Sequence, residues 1–427
     1  MNISNLEFRK LLTGFFIFIT GVVFAQTELR PTPIDPEKHN IFHSDRADGR
    51  YVSTRGFVQY LMRKQQPQLA FNPLFTKDEF IEWQSKVRAK IEELMNFPDV
   101  PPQPLPKFSG RVNRDGYVVE KWEIYPQPGC VVPFLMLIPD GVSAGNPAPA
   151  TICIPGSSSS KESLADEEEL HPVFARSKFH DENRMAKFYA QQGIVAVAVD
   201  HPGIAETSDL EKYTGRRIYD RTTFTRYLID MGWHYMGLNA FNANQLLKWM
   251  RTLDFIDPDR IAVSGHSLGT EPALYLAVLD TSVAAVVYNN FNRREIEYEL
   301  VRTKPDSSGR RPTPPWLGHC VPGLWEWFDF PDILASLAPR PLALSEGGSQ
   351  TDLDLMERAY QIMDAQDNIA VFHYPKYRNR ENRLYDYEYI PEGLDNDKYY
   401  QYVNVDVPNH YFKADVAVPW LKKVLKP

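Results

Sequence analysis

Apolar and polar positions change their rhythm twice along the chain, near residues 50 and 107. Before residue 50, an apolar run from Leu11 to Phe24 follows Arg9 and Lys10, and Val23-Phe24-Ala25 has the small-x-small form of a processing site. This reads as a secretory signal peptide over residues 1–25, with Gln26 starting the mature chain. The run is shorter than the roughly 20 residues a membrane span needs, so no span is expected after cleavage. No cysteine follows the run to carry a lipid. Between 50 and 107 the period is helical. Phe57–Lys64 is a short segment, and over Lys77–Met95 the residues Phe80, Ile81, Trp83, Val87, Ile91 and Leu94 recur on one face. Thr76, with Glu79 three positions later, has the form of a capping box. Pro-rich residues 97–106 follow, and residues 26–106 are read as an N-terminal helical extension packed on the main domain.

From residue 107 short apolar runs alternate with helical stretches. Tyr117–Tyr125 and Val131–Ile138 read as strands around a Pro-Gly turn. Ala150–Ile154, Ile194–Val199, Arg260–Ser264, Ala284–Tyr288, Pro341–Ser345 and Ile369–Tyr374 read as further strands. Helices fill Asp181–Gln192, Ala240–Leu253, Leu268–Val278 and Leu353–Asp364. Such alternation predicts an α/β domain over 107–427 with a mostly parallel sheet flanked by helices. Connections near 201–239, 289–338 and 375–409 are too long for turns and are expected to form lids or binding walls. The last carries Tyr377, Tyr385, Tyr387, Tyr389, Tyr399, Tyr400 and Tyr402, and it is expected to wall the site because His410 follows it.

The chemistry centres on Gly265-His266-Ser267-Leu268-Gly269. It follows the strand-like Ile261-Ala262-Val263-Ser264 and precedes a helix, the context of a nucleophile elbow. The serine there must occupy a tight turn, and flanking glycines remove side chains that would clash. The helix N-terminus faces developing negative charge, so the Leu268 amide is the expected first oxyanion donor. Gly-x-Ser-x-Gly arises often by chance, but seldom at a strand-to-helix junction. A second donor is expected from Ile154-Pro155-Gly156-Ser157, with the Ser157 amide the candidate. A serine nucleophile needs a base. In chain order the base follows the acid, and His410 lies beyond the last expected strand, just before a terminal helix. His373 falls inside a strand run and His319 inside a long connection. The acid is expected after Leu342-Ala343-Leu344, where Glu346, Asp352 and Asp354 are available. Asp352 is preferred because it lies past the glycines on a loop that can reach back, whereas Glu346 stands at the strand end and Asp354 suits a helix cap. Asp200-His201-Pro202-Gly203 follows the fourth run and reads as a turn bordering the site.

Composition narrows the classes. With 43% hydrophobic residues in 427, a large core is available. Lys and Arg total 47 against 55 Asp and Glu, a formal net charge of -8 with no basic block, so nucleic acid is not an expected partner. Three cysteines, Cys130, Cys153 and Cys320, leave room for one Cys130–Cys320 bridge and lack metal-site spacing. No metal and no cofactor is expected, and nothing in the sequence specifies an oligomeric state.

The run Gly265-His266-Ser267-Leu268-Gly269-Thr270-Glu271 resembles bacterial α/β-hydrolases of the acetyl-xylan-esterase-like subgroup, related to dienelactone hydrolases. So do Ala338-Pro339-Arg340-Pro341, Asn409-His410, Asp200-His201-Pro202-Gly203 and Phe328-Asp329-Phe330-Pro331-Asp332. The resemblance spans roughly residues 50–425. Gln350 departs from the pattern, standing where an aspartate is expected. The resemblance implies the α/β-hydrolase fold and an exported esterase, in the periplasm or secreted, that removes acetyl or similar small acyl groups from an acylated carbohydrate. Two rivals stand beside it. One is an esterase of uronic-acid esters, for which Arg216, Arg217, Arg221 or Arg226 would supply the charge. The other is a non-catalytic sugar-binding protein on the same scaffold.

Overall fold

The computed structural model describes residues 44, 46–157, 159–167, 179–208, 221–302, 316–391, 394 and 396–426. The expected signal peptide, Arg216 and Arg217 lie outside them. The chain divides into two compact units, Met1–Lys64 and Gln65–Pro427. In the first, the expected short helix runs from Thr54 to Lys64, and the Tyr51 and Tyr60 rings sit 5.9 Å apart.

The second unit opens on the helix Lys77–Met95, whose Thr76–Glu79 capping box forms as its sequence predicts. Its stripe Phe80, Trp83, Val87, Ile91 and Met95 is buried, while Ile81 faces solvent. Phe80 and Trp83 pack on Phe71 at ring separations of 5.8 and 5.2 Å. This helix therefore belongs to the core of the larger unit.

A nine-stranded sheet organises the rest: β1 Lys107–Arg114, β2 Tyr117–Ile124, β3 Val132–Pro139, β4 Ala148–Ile154, β5 Val195–Val199, β6 Ile256–His266, β7 Val286–Asn289, β8 Leu342–Leu344 and β9 Ile369–Val371. The spatial order is β1-β2-β3-β5-β4-β6-β7-β8-β9. Pairing is antiparallel from β1 to β5 and parallel from β5 to β9. Strand β1 was not expected. Its sequence, KFSGRVNR, is mostly polar and exposed, as suits an edge strand with one neighbour. The central strands are buried on both faces. Val195, Val197 and Val199 point into one core, and Ala196 and Ala198 into the other. Such strands read as continuous apolar runs, which is why they were legible.

The sheet places its chemistry at one end. Ile154 pairs with Gly265, His266 with Asn289, and Tyr288 with Leu344. The C-terminal ends of β4, β6, β7 and β8 thus lie side by side. The chain leaves β4 for β5 on one side and β6 lies on the other, so a crevice opens where the strand order reverses.

Candidate active site

At the end of β6 the chain turns sharply into a short 3-10 segment, Ser267–Gly269, and then the helix Thr270–Leu279. Ser267 takes a left-handed φ of 51°, a conformation non-glycine residues hold only where surroundings impose it. Those surroundings require the glycines. A Cβ on Gly265 would come within 2.4 Å of the Gly269 carbonyl oxygen, and one on Gly269 within 2.3 Å of the Ile154 oxygen. The elbow is therefore clamped onto the end of β4. A Cβ on Gly156 would meet His266 at 3.0 Å and the Ser267 Cβ at 3.5 Å, so the loop after β4 lies against the serine. Leu268 is buried at the start of the turn, and Ser157 lies exposed one residue beyond Gly156.

His201 supports this loop from behind. Its Nε2 donates to the Pro155 carbonyl at 2.7 Å, and its Nδ1 rests against the Asn239 side chain at 2.8 Å. Burial pushes its pKa down to about 4. The preceding Asp200 accepts from both the backbone and the ammonium of Lys161, at 2.7 and 2.8 Å. Glu206 pairs with Lys161 and with Lys121. The Asp200–Gly203 turn is thus a buttress for the loop and the helix that follows it.

His410 reaches the elbow from the far side of the sheet. Its ring centroid lies 5.1 Å from that of His266, the residue before the serine. Burial, and then the neighbouring His410, push His266 down to about 3. The carboxylate against His410 is Glu346: Oε2 accepts from Nδ1 at 2.6 Å. Glu346 is fully buried and its other oxygen lies 3.0 Å from the Lys413 ammonium. Burial raises its carboxyl, but His410 and Lys413 outweigh burial and hold it below the usual range. Lys413 also donates to the carbonyls of Asn409 and Tyr411, on either side of His410, so one ammonium ties the acid to the histidine's loop. Asn289 extends the tie, donating to the Tyr411 carbonyl while its Oδ1 accepts from Ser345 and from the Lys413 amide.

The preference for Asp352 is corrected here. Strand β8 ends at Leu344, so Glu346 already stands level with the elbow. Gly347 and Gly348 then take φ values of 60° and 141° and turn the chain away. Gly348 lies so close to Asn292 that a Cβ would approach its carbonyl oxygen to 2.2 Å, and Asn292 donates to the Gly347 carbonyl. The next helix starts at Gln350, which puts Asp352 in its first turn, buried and paired with Arg294 at 2.9 Å. Asp354 accepts from Gln350 and from Tyr387. The arrival of Lys413 was missed; a lysine three residues past His410, at the head of an apolar helix, was the available signal.

The Tyr-rich stretch reaches the site only in part. Tyr400 packs on Phe291 at 5.9 Å and Phe291 on His410 at 6.0 Å. Tyr389 is 97% exposed. Trp233 and His234 hydrogen-bond to the Met95 and Leu94 carbonyls and are structural, and His373 binds Arg383. Cys130, Cys153 and Cys320 are all free thiols, so the Cys130–Cys320 bridge does not form.

Comparison with known proteins identifies the family and the fold. The crystal structure of a candidate acetyl xylan esterase from Bacteroides fragilis aligns at a TM-score of 0.84 with 45% identity, covering 92% of this chain and all of the other. A methylesterase, BT1017, aligns at 0.51 with 18% identity over 86% of this chain and 74% of its own, a likeness of fold. No curated protein matches the chain in sequence. The profile described as the abhydrolase family matches residues 33–423, and the chain belongs to that family of α/β-hydrolases.

Proposed function

We propose that this protein is an exported serine esterase that removes acetyl or similar small acyl groups from an acylated carbohydrate. One observation carries the reading: the left-handed Ser267 at the end of β6 directly follows His266, whose ring lies 5.1 Å from that of His410, and His410 Nδ1 is bonded at 2.6 Å to the buried Glu346. The 45%-identical relative named for acetyl xylan supports the substrate class. In this reading the Ser267 Oγ attacks the ester carbonyl and His410 Nε2 takes its proton. Glu346 keeps Nδ1 protonated and stabilises the imidazolium without accepting that proton. The carbonyl oxygen becomes an oxyanion, received by the Leu268 and Ser157 amides. The C–O bond to the sugar then breaks, and His410 returns its proton to the leaving hydroxyl. Water, deprotonated by the same imidazole, cleaves the acyl-enzyme, releases the acid and restores Ser267.

The test is release of p-nitrophenol from its acetate ester by the purified protein, with Ser267→Ala and His410→Ala in parallel. The expected result is turnover by the parent and a loss of roughly 10³-fold or more in each variant. A parent without turnover, or a Ser267→Ala protein that keeps it, sinks the reading.

A further inference from the structure

Arg221, at the start of the helix Arg221–Asp230, hydrogen-bonds Tyr235 but keeps part of its donor capacity unused. The Arg221 guanidinium lies over the Trp316 indole at 4.3 Å. Its Nη1 is sealed from solvent and has no hydrogen-bond partner. No carboxylate pairs with it among the described residues, whereas nearby Arg226 is exposed and paired with Asp230. A buried N–H without an acceptor is costly, and a ligand oxygen would relieve that cost. Trp316 cannot swing away freely: its ring lies so close to Gly318 that a Cβ there would come within 2.2 Å of it. A guanidinium N–H left without an acceptor can donate to a carboxylate oxygen, and the planar fork of arginine favours that group over a neutral one.

The position is tied to both sides of the serine. Trp316 packs on Tyr235 at 5.0 Å, and Tyr235 faces His201 at 6.4 Å; His201 in turn holds the Pro155 carbonyl of the loop against Ser267. On the other side Trp316 meets His319 at 5.5 Å, and His319 Nδ1 lies 2.6 Å from Glu271, in the first turn of the helix after the serine. Burial opposes charge on His319, but Glu271 outweighs it and raises its pKa. The cluster therefore offers one guanidinium without a carboxylate partner among the described residues and one carboxylate-supported imidazole, both anchored to the nucleophile's own supports.

We infer that Arg221, lying over the Trp316 ring that also meets His319, is a subsite for the carboxylate of an acidic sugar, so that the acylated carbohydrate carries a uronic acid near its ester. This rests on the esterase reading for its location and deepens it by naming the substrate's charge. Arg221 is a binding residue here, separate from the atoms that break the ester.

The test is calorimetric binding to the full-length Ser267→Ala protein, comparing a glucuronic-acid-substituted xylo-oligosaccharide with the same oligosaccharide after reduction of its carboxyl to an alcohol. The acidic form is expected to bind about tenfold more tightly. Adding Arg221→Met is expected to erase the difference. Arg221→Lys, which keeps charge without the planar fork, is expected to retain only part, and it carries the comparison if the methionine variant fails to fold. Equal binding of the two forms, binding of neither, or a preference that survives Arg221→Met overturns the inference. Turnover of p-nitrophenyl acetate by the parent is measured beside it. Its absence would remove the esterase reading while leaving the binding comparison to decide this one.

Discussion

Glu346 has no contact with solvent, one oxygen on His410 and the other beside Lys413. A carboxylate so placed does two things for an imidazole: it selects the tautomer with Nε2 free, and it stabilises the charged ring. Replacing it by an amide removes the second and can reverse the first. Glu346→Gln is therefore expected to lower kcat by about 10³-fold or more. Asp352→Asn should leave kcat near that of the parent, because its partner is Arg294, and should cost about 2 kcal/mol of stability by weakening a partly buried ion pair. Kinetics and urea denaturation on both variants check this. A kcat lost in Asp352→Asn and kept in Glu346→Gln would reverse the assignment. The residue types were legible, since a carboxylate after Leu342–Leu344 was anticipated. Which carboxylate was not, because two consecutive glycines with φ values open mainly to glycine redirect the chain between the candidates.

The elbow and the loop after β4 act as one element, joined by close backbone contact at Gly269 and by His201 at Pro155. His201→Ala is expected to lose a buried hydrogen bond and leave a cavity, at about 3 kcal/mol. The effect should depend on pH in a definite direction. The folded His201 has a pKa near 4 against an ordinary 6.5, so between these values the unfolded chain binds more protons than the folded one. The stabilising contribution of His201 is complete above pH 6.5 and falls as pH drops toward 4. The stability gap between parent and variant should therefore narrow by up to about 1.4 kcal/mol per pH unit across that window. Urea denaturation of both proteins from pH 8 to pH 5 measures the gap. A gap that stays constant would mean that His201 is not held neutral. At this scale the sequence was informative wherever an element is buried on both faces, and silent on the edge strand β1, whose polar residues carry no period.

At the scale of the molecule, the site joins residues 155–157, 267–268, 346 and 410, which are distant along the chain. The strand order makes them neighbours by setting β4 beside β6 and β8 beside β7 and β9. The three thiols take no part in holding this together. All are free, and burial raises their pKa values, which slows their reaction. A reductant is accordingly expected to leave the melting temperature unchanged, as scanning calorimetry with and without it would show. A lowered melting temperature would reveal a disulfide that the fold does not contain.

Local rules were enough for some features. The capping box at Thr76, the apolar runs of the central strands and Gly265 beside Ser267 each depend on neighbours a few residues away, and each could be read from the chain. The family followed from such motifs. The partners of charged groups could not, because a long side chain's partner depends on which strands lie adjacent and where each turn sends the chain. Tertiary structure alone gave His410 to Glu346, Asp352 to Arg294 and Lys413 to the acid. It also left Arg221 over an indole with its Nη1 still to be satisfied, since burial and the lack of an acceptor at that atom are properties of the packed molecule and not of any segment.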